Sequence, residues 1–204
     1  DRRRDSLSLY EKLRYISKGV GSKCYIDTGL IMNENIEIEL LSDYLQDGPS
    51  FIGNSNNFWM FYAQNTRIWQ FWLNGTWAAL NKATLRDGKY NIIIRSGQIE
   101  DLYTGQKCGN VYKLNGVAKI WLYNKGQIWS GNTNIYFCNI KENGKYIMKL
   151  IPVKRKSDGM IGMYDKVGGK FYTSPNGAKF SGGVSRRISL LPLFTSVMAE
   201  RRAA

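Results

Sequence analysis

Turn-forming dipeptides recur along the whole chain and divide it into short segments. Asn-Gly, Asp-Gly and Gly-Gly pairs accept the positive φ angles that tight hairpins require. Between them lie short runs rich in isoleucine and aromatic residues, many of which alternate apolar with polar side chains as β-strands do. The pairs are Asn74-Gly75, Asp87-Gly88, Asn115-Gly116, Asn143-Gly144, Asp158-Gly159, Gly168-Gly169 and Asn176-Gly177. This pattern predicts an all-β chain.

The runs predict many short strands with almost no helical periodicity, which is typical of a sandwich or barrel. Asn134 to Pro152 is the clearest hairpin, and Pro152 is expected to end its pairing because proline has no N–H. The strands are predicted near residues 13–16, 23–27, 35–41, 58–64, 67–73, 89–95, 118–123, 133–140, 145–153, 161–165 and 170–173.

Two flanks differ in character from the strand-rich region. The sequence therefore predicts a basic N-terminal arm at 1–12, a β domain at 13–183 and a C-terminal amphipathic segment at 184–204. Apolar residues in the last segment recur at helical spacing, which predicts a short helix. The candidates for assembly contacts are Arg2, Arg3 and Arg4 in the arm and Leu190, Leu191, Phe194, Val197 and Met198 in the C-terminal segment.

The formal net charge is +13, and the densest basic run lies around the predicted hairpin. Lysines on a strand pair are typical of a solvated sheet edge that is protected from further pairing. Because no nucleic-acid-binding motif accompanies the run, we expect no nucleic-acid partner. The run consists of Lys141, Lys145, Lys149, Lys154, Arg155 and Lys156.

Several chemistries are excluded or disfavoured by the composition. The absence of histidine removes Ser-His-Asp and Cys-His catalysis and the commonest zinc ligand. The three cysteines, Cys24, Cys108 and Cys138, are an odd number without metal-ligand spacing, which favours buried reduced thiols. No phosphate-binding or dinucleotide motif is present, so no cofactor is predicted. No apolar run reaches the roughly 20 residues that would span a bilayer.

An aromatic block is the best candidate for a binding surface. In residues 58–62 and 68–72 both alternating sets are bulky and apolar, whereas a strand with one solvated face shows only one such set. One set must fill the core, and the other needs loops, a ligand or a neighbouring subunit to cover it. The glycan or interface candidates are Trp59, Phe61, Trp69, Phe71 and Trp72, with Trp59, Phe61, Trp69 and Phe71 expected in one set and Trp72 in the other.

Distinctive motifs stand at both ends of the predicted domain. The start reads Leu13-Arg-Tyr-Ile followed by Tyr25-Ile-Asp-Thr-Gly29. The close reads Ile151-Pro-Val-Lys-Arg-Lys-Ser-Asp-Gly159, Ile161-Gly-Met-Tyr-Asp165, Gly169-Lys-Phe-Tyr-Thr173 and Phe180-Ser-Gly-Gly183. These motifs resemble those of laminin-G-like jelly rolls of the concanavalin type, and the resemblance implies a two-sheet antiparallel jelly-roll sandwich.

The acidic residues in these motifs also have a purely structural interpretation. Asp27 is expected to bond nearby backbone N–H groups in a turn after the second strand, and Asp158 and Asp165 to form or cap later turns. Some laminin-G-like domains hold calcium, which prefers several carboxylate oxygens. The candidates Asp43, Asp47, Asp87, Asp158 and Asp165 form no spaced ligand motif, so no metal site is predicted.

Glu37 and Glu39 supply one enzymatic alternative. Residues two apart on a strand face the same way, as do the carboxylates of glucanases with concanavalin-like folds. Those sites carry an Asp between two Glu along the strand, whereas here only Glu34 or the pair itself is available. Alternation with isoleucines places both carboxylates outward on a half-exposed strand, which predicts no enzyme.

The resemblance implies a non-enzymatic module of a phage virion, such as a head or tail fibre, decoration or adhesin-type component. Such a module would sit in the virion, assemble with other virion proteins as an oligomer and contact a host-surface glycan. The alternative is a carbohydrate-binding or receptor-binding module of an extracellular bacterial surface protein, and a glucanase-like glycoside hydrolase is a more remote one. The two flanks favour assembly, because a free lectin head has no use for them.

Overall fold

A computed structural model describes residues 6–18, 23–43, 84–114, 117–123 and 133–184 in full. It describes four further strands, between residues 48 and 80, by their backbone alone. In these parts the regular structure is β-strand apart from one short 3-10 turn at Leu7–Leu9, and the strand pairings are antiparallel. The all-β prediction is confirmed for the described residues.

The larger of the two sheets contains ten strands among the described residues. Its path runs in the order β10, β9, β8, β3, β12, β1, β13, β14 and β15, with β16 paired to β1. The strands are β1 (Tyr10–Ser17), β3 (Ile36–Ser42), β8 (Tyr90–Arg95), β9 (Gln98–Asp101), β10 (Lys107–Gly109), β12 (Asn134–Glu142), β13 (Lys145–Arg155), β14 (Ile161–Asp165), β15 (Lys170–Tyr172) and β16 (Ser181–Val184).

The smaller sheet runs in the order β2, β11, β4, β5, β6 and β7. Its strands are β2 (Ile26–Ile31), β4 (Gly48–Asn54), β5 (Phe58–Ala63), β6 (Ile68–Leu73), β7 (Thr76–Leu80) and β11 (Lys119–Leu122). The predicted strands 58–64 and 67–73 correspond to β5 and β6.

One apolar core receives side chains from both sheets. Ile38 and Ile92 enter it from the large sheet, and Ile26, Ile120 and Leu122 from the small one, and all five are essentially inaccessible to water. Burial alternates strictly along β3 and β8, as expected for strands with one core face and one solvent face. Burying a side chain of this size stabilises the fold by about 1.5–3 kcal/mol. The shared core is what a two-sheet sandwich requires.

The predicted hairpin is formed by β12 and β13. Its turn residues Asn143 and Gly144 have φ values of 50° and 75°, as a two-residue hairpin turn requires. The pairs of β13 with β12 end at Leu150, just before Pro152, in agreement with the predicted end of the hairpin pairing. β13 continues to Arg155 and pairs there with β1 and β14, because the missing N–H of one proline interrupts one ladder without ending the strand.

The position of this hairpin corrects the interpretation of the lysine run. β12 and β13 lie inside the large sheet, whose path ends at β10 and β15, so the edge interpretation is wrong for most of the run. Among the described residues, the first part of β13, from Lys145 to Met148, pairs with β12 on one side alone. Two of its lysines, Lys141 and Lys149, lie instead on strands in the middle of an exposed sheet face, where the hairpin places them close together.

The predicted turn at Asp27 to Gly29 lies inside β2. The Gly29 N–H donates to Asp27 Oδ1 at 2.9 Å, which confirms the expected local hydrogen bond. The prediction of a turn after the strand is wrong, since the register against β11 shifts here and the strand continues to Ile31. The hydrogen bond of Asp27 is therefore part of a β-bulge. The strand bends there around Gly29, whose φ is positive at 74°.

Strand β16 joins the end of the described chain to its beginning. Gly182 and Gly183 pair with Ile16 and Tyr15, and a Cβ atom added to Gly183 would stand 2.3 Å from the Tyr15 ring. A side chain therefore cannot be accommodated at Gly183 without displacing Tyr15. β1 begins at Tyr10, so residues 10–12 of the predicted arm are part of the sheet.

Several predicted features lie outside the described residues. They include Arg2, Arg3 and Arg4, Asp47, the turns at Asn74-Gly75 and Asn115-Gly116, and the C-terminal helix with Leu190, Leu191, Phe194, Val197 and Met198.

Candidate binding face

The solvent side of the large sheet is its outer face, formed by the alternate residues that do not enter the core. Two neighbouring rows of paired residues cross this face, two residues apart along the same strands. The first row pairs Glu39 with Asn139 and Asn139 with Lys149. The second row consists of Arg95, Glu37, Lys141 and Tyr146, each opposite the next. Directly opposite residues on one face are close enough to interact.

Arg95 is the centre of an ion-pair network on this face. Its Nη1 lies 2.7 Å from Glu100 Oε2, and its Nη2 lies 3.4 Å from Glu37 Oε2. Lys107 Nζ approaches the same Glu100 oxygen at 3.6 Å. Because Arg95 and both glutamates are largely shielded by their neighbours, these contacts order the face more than an exposed ion pair would.

Glu37 and Glu39 are placed outward, as the alternation of β3 predicts. Glu37 is paired with Arg95, and Glu39 Oε2 accepts a hydrogen bond from Asn139 Nδ2 at 3.1 Å. Both carboxylates thus have partners on a neighbouring strand.

Tyr146 stands at the exposed end of the second row, with 40% of its surface accessible. The ammonium group of Lys149 lies 3.6 Å from the centroid of its ring, and that of Lys141 lies 4.9 Å away. Cations over a ring are attracted by its quadrupole, so the tyrosine holds two lysine head groups beside it.

A second aromatic group lies further along the same strands. The rings of Tyr15 and Tyr136 meet edge to face at 6.0 Å, and Lys89 Nζ lies 5.0 Å from the Tyr136 ring. The Tyr136 hydroxyl donates to Asp43 Oδ2 at 2.8 Å, and Asn134 donates to both carboxylate oxygens. Burial, followed by the hydrogen bond to the Asp43 carboxylate, raises the pKa of Tyr136 to about 12.

The acidic residues of the C-terminal motif have structural roles in the described fold. Asp165 is buried and accepts from the backbone N–H groups of Lys149, Val167 and Gly168, so it caps the following turn as predicted. Asp158 forms a two-point contact with Arg155 and accepts from the Met160 N–H. That Arg155 contact holds the pKa of Asp158 at about 2.

None of the calcium candidates gathers into a ligand cluster in the described part of the chain. Asp43, Asp158 and Asp165 each serve a different turn or strand end, and no group of three or more acidic, cysteine or histidine side chains there is placed to hold a metal.

The aromatic candidates of the small sheet are placed by their backbone on β5 and β6. The register sets Trp59 opposite Trp72 and Tyr62 opposite Trp69. The predicted grouping is therefore wrong, because opposite residues share one side of a sheet. Trp59, Phe61 and Trp72 belong to one set, and Met60, Tyr62, Trp69 and Phe71 to the other.

Sequence reasoning did not identify the group of Lys141, Tyr146 and Lys149. The signal was present, because a two-residue turn at Asn143-Gly144 sets residues 141 and 146 opposite each other. Strand order cannot be derived from a hairpin alone, so the sequence pattern of these lysines favours a sheet edge.

Comparison with protein-family models, curated proteins and solved structures found no match to this chain. A search of the described residues found no helix with the length and apolar character needed to cross a membrane.

Proposed function

We propose that this chain is a non-enzymatic jelly-roll module of a phage particle, of the laminin-G and concanavalin type, which acts by binding and assembly. The motifs at both ends of the domain support this, as do the two antiparallel sheets that share one core. Its partners are other virion proteins, with which it forms an oligomer, and a glycan of the host surface.

The pairing of β5 with β6 is the observation that carries the assembly proposal. The register forms two sets, and each set contains at least one tryptophan together with other bulky apolar residues. A sheet with one solvated side has only one such set, so a sheet with two needs a cover on each side. A sandwich core covers one side of each of its sheets, and a subunit of the assembly supplies the cover for the other side of this one.

The positions of the carboxylates support a module without catalysis. Retaining and inverting glycosidases need two carboxyl groups available to the same glycosidic bond. Here Glu37 is committed to Arg95 and Glu39 to Asn139, both through contacts across strands. Purified protein should therefore show no release of reducing ends from β-glucan, and activity abolished by Glu37→Gln would contradict this proposal.

A mass-spectrometric inventory of purified particles from the phage that encodes this chain tests the assignment. The chain should be present in stoichiometric amounts and should be located by labelling at one structural position. Its absence from washed particles would overturn the virion assignment.

The contribution of the β5–β6 sets to assembly is tested by Trp59→Ser and Trp69→Ser, one from each set. The variant in the set that faces a partner should remain folded and lose self-association or incorporation. The variant in the core set should be destabilised by about 3–5 kcal/mol. The proposal fails if both variants are strongly destabilised, the wild-type protein is a monomer, and purified particles do not contain it. In that case no partner is needed to cover either set.

A further inference from the structure

Lys141, Tyr146 and Lys149 form a compact cationic group on the outer face, here termed the Lys–Tyr–Lys site. Both ammonium groups lie within 5 Å of one exposed ring, at 4.9 Å and 3.6 Å from its centroid. The ring limits where each flexible lysine can place its charge, which reduces the entropy lost when a ligand binds.

These two charges lack the carboxylate partners that Arg95 and Lys107 have on this face. In the part of the chain that the structure describes, no carboxylate oxygen lies within 4.0 Å of either ammonium group. Glu37 and Glu39, the nearest acids by register, contact Arg95 and Asn139 instead. Two like charges held close together repel each other, and an anion placed between them removes that repulsion.

Groups suited to sugar hydroxyls lie directly beside the site. Lys149 is opposite Asn139 in the register, and Asn139 is opposite Glu39. The amide can donate and accept hydrogen bonds, and the carboxylate accepts them, so this row complements hydroxyl groups. The outer face therefore offers cations for an acidic group and polar side chains for the sugar that carries it.

We propose that the Lys–Tyr–Lys site binds the acidic group of an anionic surface polysaccharide, with Asn139 and Glu39 contacting the adjoining hydroxyls. This rests on the proposed function and deepens it, since it names the class of host glycan and moves its site from the small sheet to the outer face. A nucleic acid fits the face less well. Its phosphates repeat along the strand, and the carboxylates of Glu37 and Glu39 would repel them, whereas sugar hydroxyls can donate to the same groups.

Binding of the full chain to immobilised hyaluronate, in which a neutral sugar separates successive carboxylate-bearing sugars, tests the site. The double variant Lys141→Gln, Lys149→Gln should bind about tenfold or more weakly, because it loses two hydrogen bonds to a charged group. The matched control is Lys12→Gln, Lys154→Gln, which removes the same net charge from two other exposed lysines. It should bind within about twofold of wild type, since only long-range attraction is altered.

Two further variants separate the ring from the charges. Tyr146→Phe keeps the ring and should retain binding, whereas Tyr146→Leu should weaken it because the ammonium groups are no longer held together. Equal losses in the two double variants would show attraction to net charge alone and would overturn the site. Tighter binding to single-stranded DNA, or equal binding to neutral dextran, would also overturn it. Presence of the chain in purified particles is measured independently, so failure of the site leaves the virion assignment standing.

Discussion

Asp165 ends strand β14 with its carboxylate inside the protein, where only 2% of the residue is exposed. Its oxygens accept from three backbone N–H groups at 2.9 Å, those of Lys149, Val167 and Gly168. One side chain thus ties strand β13 to the turn that follows β14. The sequence interpretation of this residue as a turn cap is confirmed because its partners are mostly local.

We expect Asp165→Ala to lower the free energy of unfolding by about 2–4 kcal/mol, because buried N–H groups lose a charged acceptor. Asp165→Asn should cost less, since one oxygen remains. Urea denaturation measures both. Asp158→Ala is the control, because its carboxylate is exposed and pairs with Arg155 at the surface, and it should have a much smaller effect. Equal losses at the two positions would contradict this account of Asp165.

Tyr136 makes stability depend on alkaline pH. Its pKa is raised from 10 to about 12 in the folded protein by burial and by Asp43, so folding favours the neutral phenol. That contribution is complete below pH 10 and is lost as the pH rises towards 12. Wild type should therefore lose stability between pH 10 and 12 more steeply than Tyr136→Phe, as measured by denaturation at each pH.

The role of Asp43 is separable from that of burial. In Asp43→Asn the pKa of Tyr136, followed by NMR of the ring carbon that bears the hydroxyl, should fall but stay above 10 because burial persists. Glu39→Gln removes a carboxylate that contacts Asn139 instead, and it should leave this titration unchanged. An unaltered pKa in Asp43→Asn would refute the assigned cause.

At the scale of elements, the alternation of apolar residues predicted β3, β8, β12 and β14. The predicted ends of these strands differ from the observed ends by no more than two residues. It did not predict β4, β7, β9, β10 or β16. β4 contains Gly and Pro and β16 contains two Gly, which normally weaken a strand, and β9 and β10 are too short for a pattern to emerge. Strands of this kind are stabilised by their neighbours, which the local sequence does not reveal.

Strand β16 should be required for stability, although it has only four residues. It pairs with β1 from Leu13 to Ser17 and provides the space that the Tyr15 ring occupies. A chain truncated after Val184 should keep a cooperative thermal transition. Truncation after Phe180 should lower its midpoint, because each lost backbone hydrogen bond costs about 1 kcal/mol. Identical transitions for the two chains would show that β16 contributes nothing.

At the scale of the whole molecule, the cysteines report on global unfolding. Cys24 and Cys138 are fully buried reduced thiols, and burial raises the pKa of Cys138 far above its usual value. Cys108 is partly accessible. A thiol reagent should therefore modify Cys108 in the native protein and all three cysteines in denaturant. Rapid native modification of Cys24 or Cys138 would contradict the single core between the sheets.

The order of strands in the large sheet was beyond prediction, since it depends on pairs far apart in sequence. Ile38 pairs with Ile140, and Leu13 with Val184, in a register that local patterns cannot specify. The candidate site depends on the same information, because only the sheet order shows that the lysines lie in the middle of a face.

The pairing of β1 with β16 also determines when the large sheet can be completed during protein synthesis. The ribosome releases β1 long before β16 exists, and at about 5–20 residues per second the interval is roughly 10–30 s. During that time Tyr10, Leu13 and Ile16, all buried in the finished sheet, have no complete set of neighbours. The nascent chain thus carries an unfinished strand that chaperones can hold, and the sheet closes only when translation of the domain is nearly complete.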